Sequence, residues 1–344
     1  MRTKVDFLHR EDTIEYTCKK KESGSMPKKR IVGVVGLGHV GAHVAYTLGV
    51  TGTADLVKLC DINEKKLVSE HQDLMDAAMF MPHHVKYAMA SYEELGDCDI
   101  IINAIGKIDL LVTHNRDTEM NFTVAQVADF IPKIMKGGFK GIFINITNPC
   151  DVVSDLISKL SGLPAGDVFG TGTGLDTSRV VSAISQQTGL DHKSITAYMM
   201  GEHGNAQMVP WSVIQFGGKR LEELKDDSRF VFDHDAIKEK TIKGGWVTYV
   251  GKGCTEYGIA YTATTLAGYV LRDEKHIMAT SAPLRGEYGE DGIFAGVPAV
   301  VGENGVEKVV ELSLTDTEKK EFKTCCTAIR ENIKKAESIW KKAE

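Results

Sequence analysis

The stretch "IVGVVGLGHVG", residues 31–41, constrains the fold more than any other part of the chain. Its first five residues are apolar without alternation, as in a strand buried on both faces of a parallel sheet. Gly36, Gly38 and Gly41 then form G-x-G-x-x-G at the entry to an apolar-periodic helix that runs to about Val50. The first glycine permits a tight turn, the second lets backbone approach a pyrophosphate, and the third lets helix and strand pack closely. The helix N-terminus adds unpaired N–H groups and the positive end of a dipole. Asp61 closes the second strand, "DLVKLC", twenty residues after Gly41. A carboxylate there accepts hydrogen bonds from ribose hydroxyls and repels a 2′-phosphate, so the expected cofactor is NAD rather than NADP.

The pattern that follows agrees with this start. A long helix covers roughly 64–80, "VKYA" and "DIIINAIG" read as strands, a helix spans about 117–136, and "GIFINIT" is a further strand. Strand and helix alternating in ~30-residue units make an α/β fold, a Rossmann-type doubly wound parallel sheet, here over residues 30–150. The pattern then changes. Helices at about 151–161 and 174–189 precede "SITAYMM" and short strands such as "MVPWSVIQF"; two helical stretches lie near 233–272, β segments cover 277–313, and a charged helix closes the chain. Residues 151–344 therefore read as a mixed α+β substrate domain.

Composition narrows the function classes. The chain has 344 residues, of which 42% are hydrophobic and 26% charged, enough for a core of normal size. A net charge of -6 argues against non-specific binding to nucleic acid or to an anionic membrane. No apolar run reaches the ~18–20 residues that span a bilayer. None of the seven cysteines forms a C-x-x-C pair, so neither a disulfide framework nor a structural zinc site is expected, and a cytoplasmic location fits. Residues 1–29 are charged, lack an apolar signal core, and read as a disordered leader or an upstream start; an arm packing on a neighbouring subunit is the alternative.

Hydride chemistry on a secondary alcohol needs a base near pKa 7, which is histidine's range. A carboxylate on the second ring nitrogen fixes the tautomer, and a bidentate arginine is the best clamp for a substrate carboxylate. "GTGTGLDTSR" offers Asp176 and Arg179, three apart on one helix face, and "GEHGN" offers His203. The loop "KIDLLVTHNR" leaves the fourth strand, reads as an apolar lid, and ends at Arg116; Asn148, in "TNP", offers an amide beyond the fifth strand. Each alone has an ordinary explanation: a surface i,i+3 ion pair, a turn histidine, a turn asparagine, a solvated arginine. Their joint presence supports the chemistry.

At these residues the chain resembles the L-lactate/malate dehydrogenase family, from about residue 30 to 340. "VVGLGHVG", "ITNPCDV", "GTGTGLDTSR", "GEHGNAQMVPWS", "GKGCTEYG" and "GVPAVVGENGV" occur in the family's order. "GEHGN", "IGKIDL" and "GKGCTEYG" are most similar to the L-2-hydroxyisocaproate dehydrogenase branch. The resemblance implies that His203 exchanges the proton with Asp176 as its partner and that Arg179 grips the substrate carboxylate. It implies that Arg116 polarises the substrate oxygen, that Asn148 bonds that oxygen or the nicotinamide side, and that Thr255 lines the pocket. It also implies a homotetramer or homodimer acting on a small 2-hydroxy or 2-keto acid.

Departures refine the substrate. Malate enzymes carry an arginine early in the mobile loop, whereas Lys107, Ile108, Asp109 and Leu110 stand here. A second carboxylate facing Ile108 and Leu110 would lack a partner, so an aliphatic side chain is expected, with Asp109 turned to solvent. L-lactate is the alternative substrate, malate a weaker one. A redox-silent NAD-binding regulator would not need His203, Asp176, Arg179 and Arg116. A metal-dependent NAD glycosidase would need a Cys/His pair, for which Cys150 is the candidate. Sugar-bisphosphate-activated relatives carry a cation two residues after the substrate arginine and another seven before the histidine; Val181 and Thr196 stand there. A phosphate site without cations is weak. Adding fructose bisphosphate to the assay is therefore expected to leave rate and substrate affinity unchanged, and a large rise in either would refute this.

Overall fold

A computed structural model describes residues 28–107 and 116–341, with backbone alone at 116–118. Almost all of the leader and the apolar stretch of the lid, Ile108 to Val112, lie outside the described residues. The first half contains β1 (Ile31–Val35), α1 (His39–Val50), β2 (Leu56–Cys60), α2 (Glu64–Ala78), β3 (Lys86–Met89), β4 (Ile100–Asn103), α3 (Arg116–Lys136), β5 (Ile142–Asn145), α4 (Cys150–Ser161) and β6 (Val168–Gly170). The second half contains α5 (Gly174–Thr188), β7 (Ile195–Thr196), β8 (Met200–Gly201), β9 (Gln207–Met208), β10 (Gln215–Phe216), β11 (Lys219–Arg220), α6 (His234–Lys252) and α7 (Tyr257–Leu271). It ends with β12 (His276–Arg285), β13 (Asp291–Gly302), β14 (Gly305–Val309) and α8 (Asp316–Trp340).

The strands lie in the order β3-β2-β1-β4-β5-β6, all parallel, with Val32 opposite both Val57 and Ile100, and Ile100 opposite Ile142. This is the doubly wound dinucleotide-binding arrangement, in which ligands sit beyond the carboxyl ends of the strands. Every residue of β4 and β5 is buried, which accounts for their unbroken apolar runs. The sixth strand was not legible. It has three residues, "VFG", flanked by Asp167 and Thr171, too few for a period to show.

The sheet does not stop at β6. Ser281 of β12 pairs antiparallel with Gly170, and β13, β8 and β9 continue the same eleven-stranded sheet, with β14 on β13. Much of "MVPWSVIQF", expected as strand, is a 3-10 turn over Trp211–Val213, because Pro210 cannot donate to a ladder. Its first residue, Met208, pairs with Met200 in the main sheet, and its end, β10, pairs in a small sheet with β7 and β11. A second apolar cluster, including Val180, Ile184, Met199, Ile214 and Phe216, fills the space between α5 and this small sheet. Cys325 and Cys326 are buried, unpaired thiols on α8. Among the described residues no helix is long and apolar enough to cross a membrane.

Two glycines shape the β1–α1 turn. Gly36 has φ +87°, and a Cβ at Gly41 would lie 1.8 Å from the Gly36 carbonyl oxygen, so only hydrogen allows helix and turn to approach.

Candidate active site

The cofactor-side residues converge at the carboxyl ends of β1 and β2. Asp61 accepts from Leu37 N–H through Oδ2 at 2.6 Å and from Asn63 N–H through Oδ1 at 2.8 Å. The carboxylate is thereby held against the glycine turn, with lone pairs remaining on both oxygens. A Cβ at Gly38 would meet nothing within 4 Å, so the space before the α1 N-terminus is open. A bare backbone, a helix N-terminus and a fixed carboxylate together fit a dinucleotide.

The catalytic candidates meet at one buried carboxylate. Asp176, in the first turn of α5, is 1% exposed. Its Oδ2 is 2.6 Å from His203 Nδ1, and its Oδ1 accepts from Arg179 Nη1 at 2.8 Å. Two threonines on either side of Asp176 fix the start of α5 relative to the strand that leads to His203. Thr173 Oγ1 donates to the Met199 carbonyl at 2.7 Å, and Met199 N–H donates to Thr177 Oγ1 at 2.9 Å.

His203 sits in the loop between β8 and β9, which pair through Met200 with Met208 and Gly201 with Gln207. Glu202 closes that loop twice: its N–H donates to the Ala206 carbonyl, and its carboxylate accepts from Ala206 N–H at 3.1 Å. Gly201 has φ +98°, and a Cβ there would lie 2.7 Å from Cys325 Cβ, so glycine is required where the loop begins.

Electrostatics follow from these contacts. Burial disfavours the imidazolium of His203, but the Asp176 carboxylate, by charge and hydrogen bond, and then Asp151, outweigh it and raise the His203 pKa above the ordinary histidine value. Burial would lift Asp176, yet His203 and Arg179 hold its carboxyl below the usual range. The stability His203 contributes is fully present below the unfolded value of ~6.5 and is lost as pH rises through the raised folded value.

Asp151 was not anticipated. It lies in the first turn of α4, 1% exposed, and accepts from His203 N–H at 2.9 Å and from Ser281 Oγ at 2.5 Å. Burial pushes its carboxyl up to about 6, against the opposing pull of these two bonds. The available signal was an acid directly after "NPC" at a helix start, the position that suits a carboxylate. Two buried asparagines were also missed. Asn103 Nδ2 donates to Asn145 Oδ1 at 2.9 Å, and Asn145 Nδ2 donates to the Thr147 and Cys150 carbonyls, which shapes the segment that carries Asn148. Their signal was a polar residue ending each of two wholly apolar strands, "IIIN" and "IFIN".

The structure brings His203, Asp176 and Arg179 into direct contact. Among the described residues, Asn148 and Thr255 form no hydrogen bond with those three. Asn148 is exposed beyond β5, before a cis Pro149, and Thr255 is half-buried in the α6–α7 connection. The Arg116 backbone opens α3, and its side chain lies outside the described residues. Cys150 is buried, its thiol 3.6 Å from the Asn145 carbonyl and accepting from Gly172 N–H at 3.4 Å.

Comparison with known proteins gives a consistent result. The family model described as lactate/malate dehydrogenase, NAD binding domain, matches residues 29–170, and that described as lactate/malate dehydrogenase, alpha/beta C-terminal domain, matches 173–339. An L-lactate dehydrogenase of Fusobacterium nucleatum is 35% identical over 316 residues, covering 91% of this chain and 99% of the relative. L-lactate dehydrogenase 3 of Bacillus anthracis is 36% identical over 308 residues, covering 89% and 97%. The ligand-bound crystal structure of a minor L-lactate dehydrogenase from Enterococcus mundtii superposes with a TM-score of 0.82 at 32% identity, covering 89% of this chain and 98% of that one.

The Asp151 contacts generate a stability test. Ser281→Ala removes a hydrogen bond to a buried carboxylate, which is expected to lower the unfolding free energy by about 1.5–3 kcal/mol at pH 8. That bond favours the ionised carboxyl, so at pH 5 the loss is expected to be smaller. Urea unfolding of both proteins at the two pH values reads this directly, and equal losses would contradict the assignment.

Proposed function

The chain belongs to the lactate/malate dehydrogenase family and carries that family's NAD-binding domain; on that premise we propose that it is an L-lactate dehydrogenase, interconverting pyruvate and L-lactate. The observation that carries this reading is the single carboxylate of Asp176 holding both His203 and Arg179. When bound, the dinucleotide supplies the hydride donor and acceptor. With Nδ1 engaged by Asp176, His203 uses Nε2 to give a proton to the carbonyl oxygen during reduction and to take it back during oxidation. The charge on Asp176 stabilises the imidazolium, which favours His203 as a proton donor. Arg179 spends one N–H on Asp176 and keeps donors for the substrate carboxylate. In this reading Arg116 polarises the substrate oxygen, Asn148 bonds that oxygen or the nicotinamide side, and Thr255 lines the pocket.

The relatives reported above carry the L-lactate name, so the preference for 2-hydroxyisocaproate-like acids expected from the lid becomes the second reading. The apolar sequence of the lid, Ile108, Leu110 and Leu111, favours it. Gly244 and Gly245 lie mid-helix in α6 against Arg179, where a Cβ on Gly244 would come 3.2 Å from Arg179 Cδ and one on Gly245 3.5 Å from Nη2. A helix-interior glycine costs about 1 kcal/mol relative to alanine. The glycine pair therefore lets the Arg179 side chain lie directly against α6, which seats the carboxylate clamp.

NADH oxidation across pyruvate, 2-ketobutyrate, 2-ketoisocaproate, phenylpyruvate and oxaloacetate separates the readings. Pyruvate is expected to have the highest kcat/KM, and His203→Ala to lower kcat by about 10²–10⁴-fold. If 2-ketoisocaproate wins, the second reading holds; no turnover of any acid would exclude both.

The pH profile is a separate check. Reduction requires protonated His203, so the rate is expected to hold through ~6.5 and to fall only as pH passes the raised value of that residue. A decline centred below ~6 would contradict the assigned role.

A further inference from the structure

A second cluster of reactive side chains lies outside the His203 site. His39 is the first residue of α1, inside the glycine loop, while Cys254 and Glu256 flank Thr255 in the α6–α7 connection. One ligand atom from each of these three lies within 4.8 Å of the other two. Glu256 Oε2 is the hub, 3.6 Å from His39 Nδ1 and 3.6 Å from Cys254 Sγ. Two ligands of a tetrahedral zinc ion stand about 3.4–3.6 Å apart, given Zn–N and Zn–O bonds near 2.0–2.2 Å and Zn–S near 2.3 Å.

From this geometry we propose that His39, Cys254 and Glu256 form a binding site for a zinc-class divalent cation. Imidazole, thiolate and carboxylate on one ion is a borderline-soft donor set, which suits zinc and disfavours magnesium or calcium. The carboxylate is already divided in a way that suits a ligand. Lys252 Nζ takes Oε1 at 2.5 Å, leaving Oε2 to face the other two donors. Cys254 is 6% exposed and the Glu256 side chain 9%, while the His39 side chain is 69% exposed, so the site has a fixed floor and an open side for entry.

Binding replaces the weak thiol-to-Glu256 contact. The Cys254 proton leaves to solvent, and the thiolate, the Nδ1 lone pair and Oε2 each form a bond to the metal. His43 Nδ1 lies 3.4 Å from Oε2 but also 2.7 Å from the His39 carbonyl, so water completes the coordination. Lys252 is the opposing charge and limits affinity. An ion here would join the entry of α1 to the segment that carries Thr255, linking the cofactor loop to the substrate half. No C-x-x-C or His/Cys spacing announces such a site, because His39 lies more than two hundred residues before Cys254 and Glu256 in the chain.

The test uses the full chain, stripped of metal, without cofactor or substrate, so its outcome does not depend on the dehydrogenase reading. ZnCl2 is titrated in competition with a chromophoric chelator. One zinc per chain is expected, with at least ten-fold weaker binding in both Cys254→Ser and His39→Ala. Zinc is also expected to raise the Tm of the parent protein, and to raise that of either variant less. Should Cys254→Ser fail to fold, His39→Ala, altered at an exposed side chain, decides alone. Equal zinc affinity in parent and His39→Ala, meaning adventitious binding elsewhere, overturns the proposal, as does the absence of binding to the parent.

Discussion

The site depends on one carboxylate out of water. Asp176 is almost fully buried, and an ionised group there is tolerable only because each oxygen has a cationic or ionisable partner, His203 on Oδ2 and Arg179 on Oδ1. The proposed roles rest on the same arrangement. The carboxylate orients the imidazole, raises its affinity for a proton, and fixes one edge of the guanidinium. The imidazole and the guanidinium are thus set at one spacing by a shared anchor, as the proposed proton donor and carboxylate clamp require. The anchor is itself fixed by Thr173 and Thr177, which bond Met199 from both sides of Asp176.

The scaffold brings these parts to the dinucleotide. The parallel strands carry the glycine turn and Asp61 at their carboxyl ends, and β6 passes the sheet on to β12 through Ser281 and Gly170. Ser281 then reaches Asp151, and Asp151 holds the backbone of His203. A chain of hydrogen bonds therefore runs from the junction of the two halves to His203. Zinc at His39, Cys254 and Glu256 would add a second link between the same halves, at the cofactor loop.

The parts that were legible in the sequence were those with a period or a strong local rule. Gly36, Gly38 and Gly41 fall in the β1–α1 turn and Asp61 just past β2, as the sequence reads, because strand, turn and helix each impose their own residue types. Asp176 and Arg179 meet because i,i+3 spacing places them on one helix face. His203 stood out only by its place in a glycine-flanked loop after an apolar segment. What escaped was set by tertiary contact. β6 is too short to show alternation, Pro210 turned an expected strand into a 3-10 turn, and Asp151 looked like an ordinary acid at a helix start. Gly244 and Gly245 read as helix, and only the Arg179 side chain lying on them gives the pair a purpose.

The central claim is that Asp176 sets the proton affinity of His203, and ring-nitrogen NMR of His203 across pH measures it without reference to turnover. In the parent protein His203 is expected to titrate above the ~6.5 of a solvent-exposed histidine, with the Nδ1 proton retained in the neutral form. In Asp176→Asn the titration is expected to move to lower pH. An unchanged titration in that variant would contradict the account, because the carboxylate would then be no more than a structural neighbour of the ring.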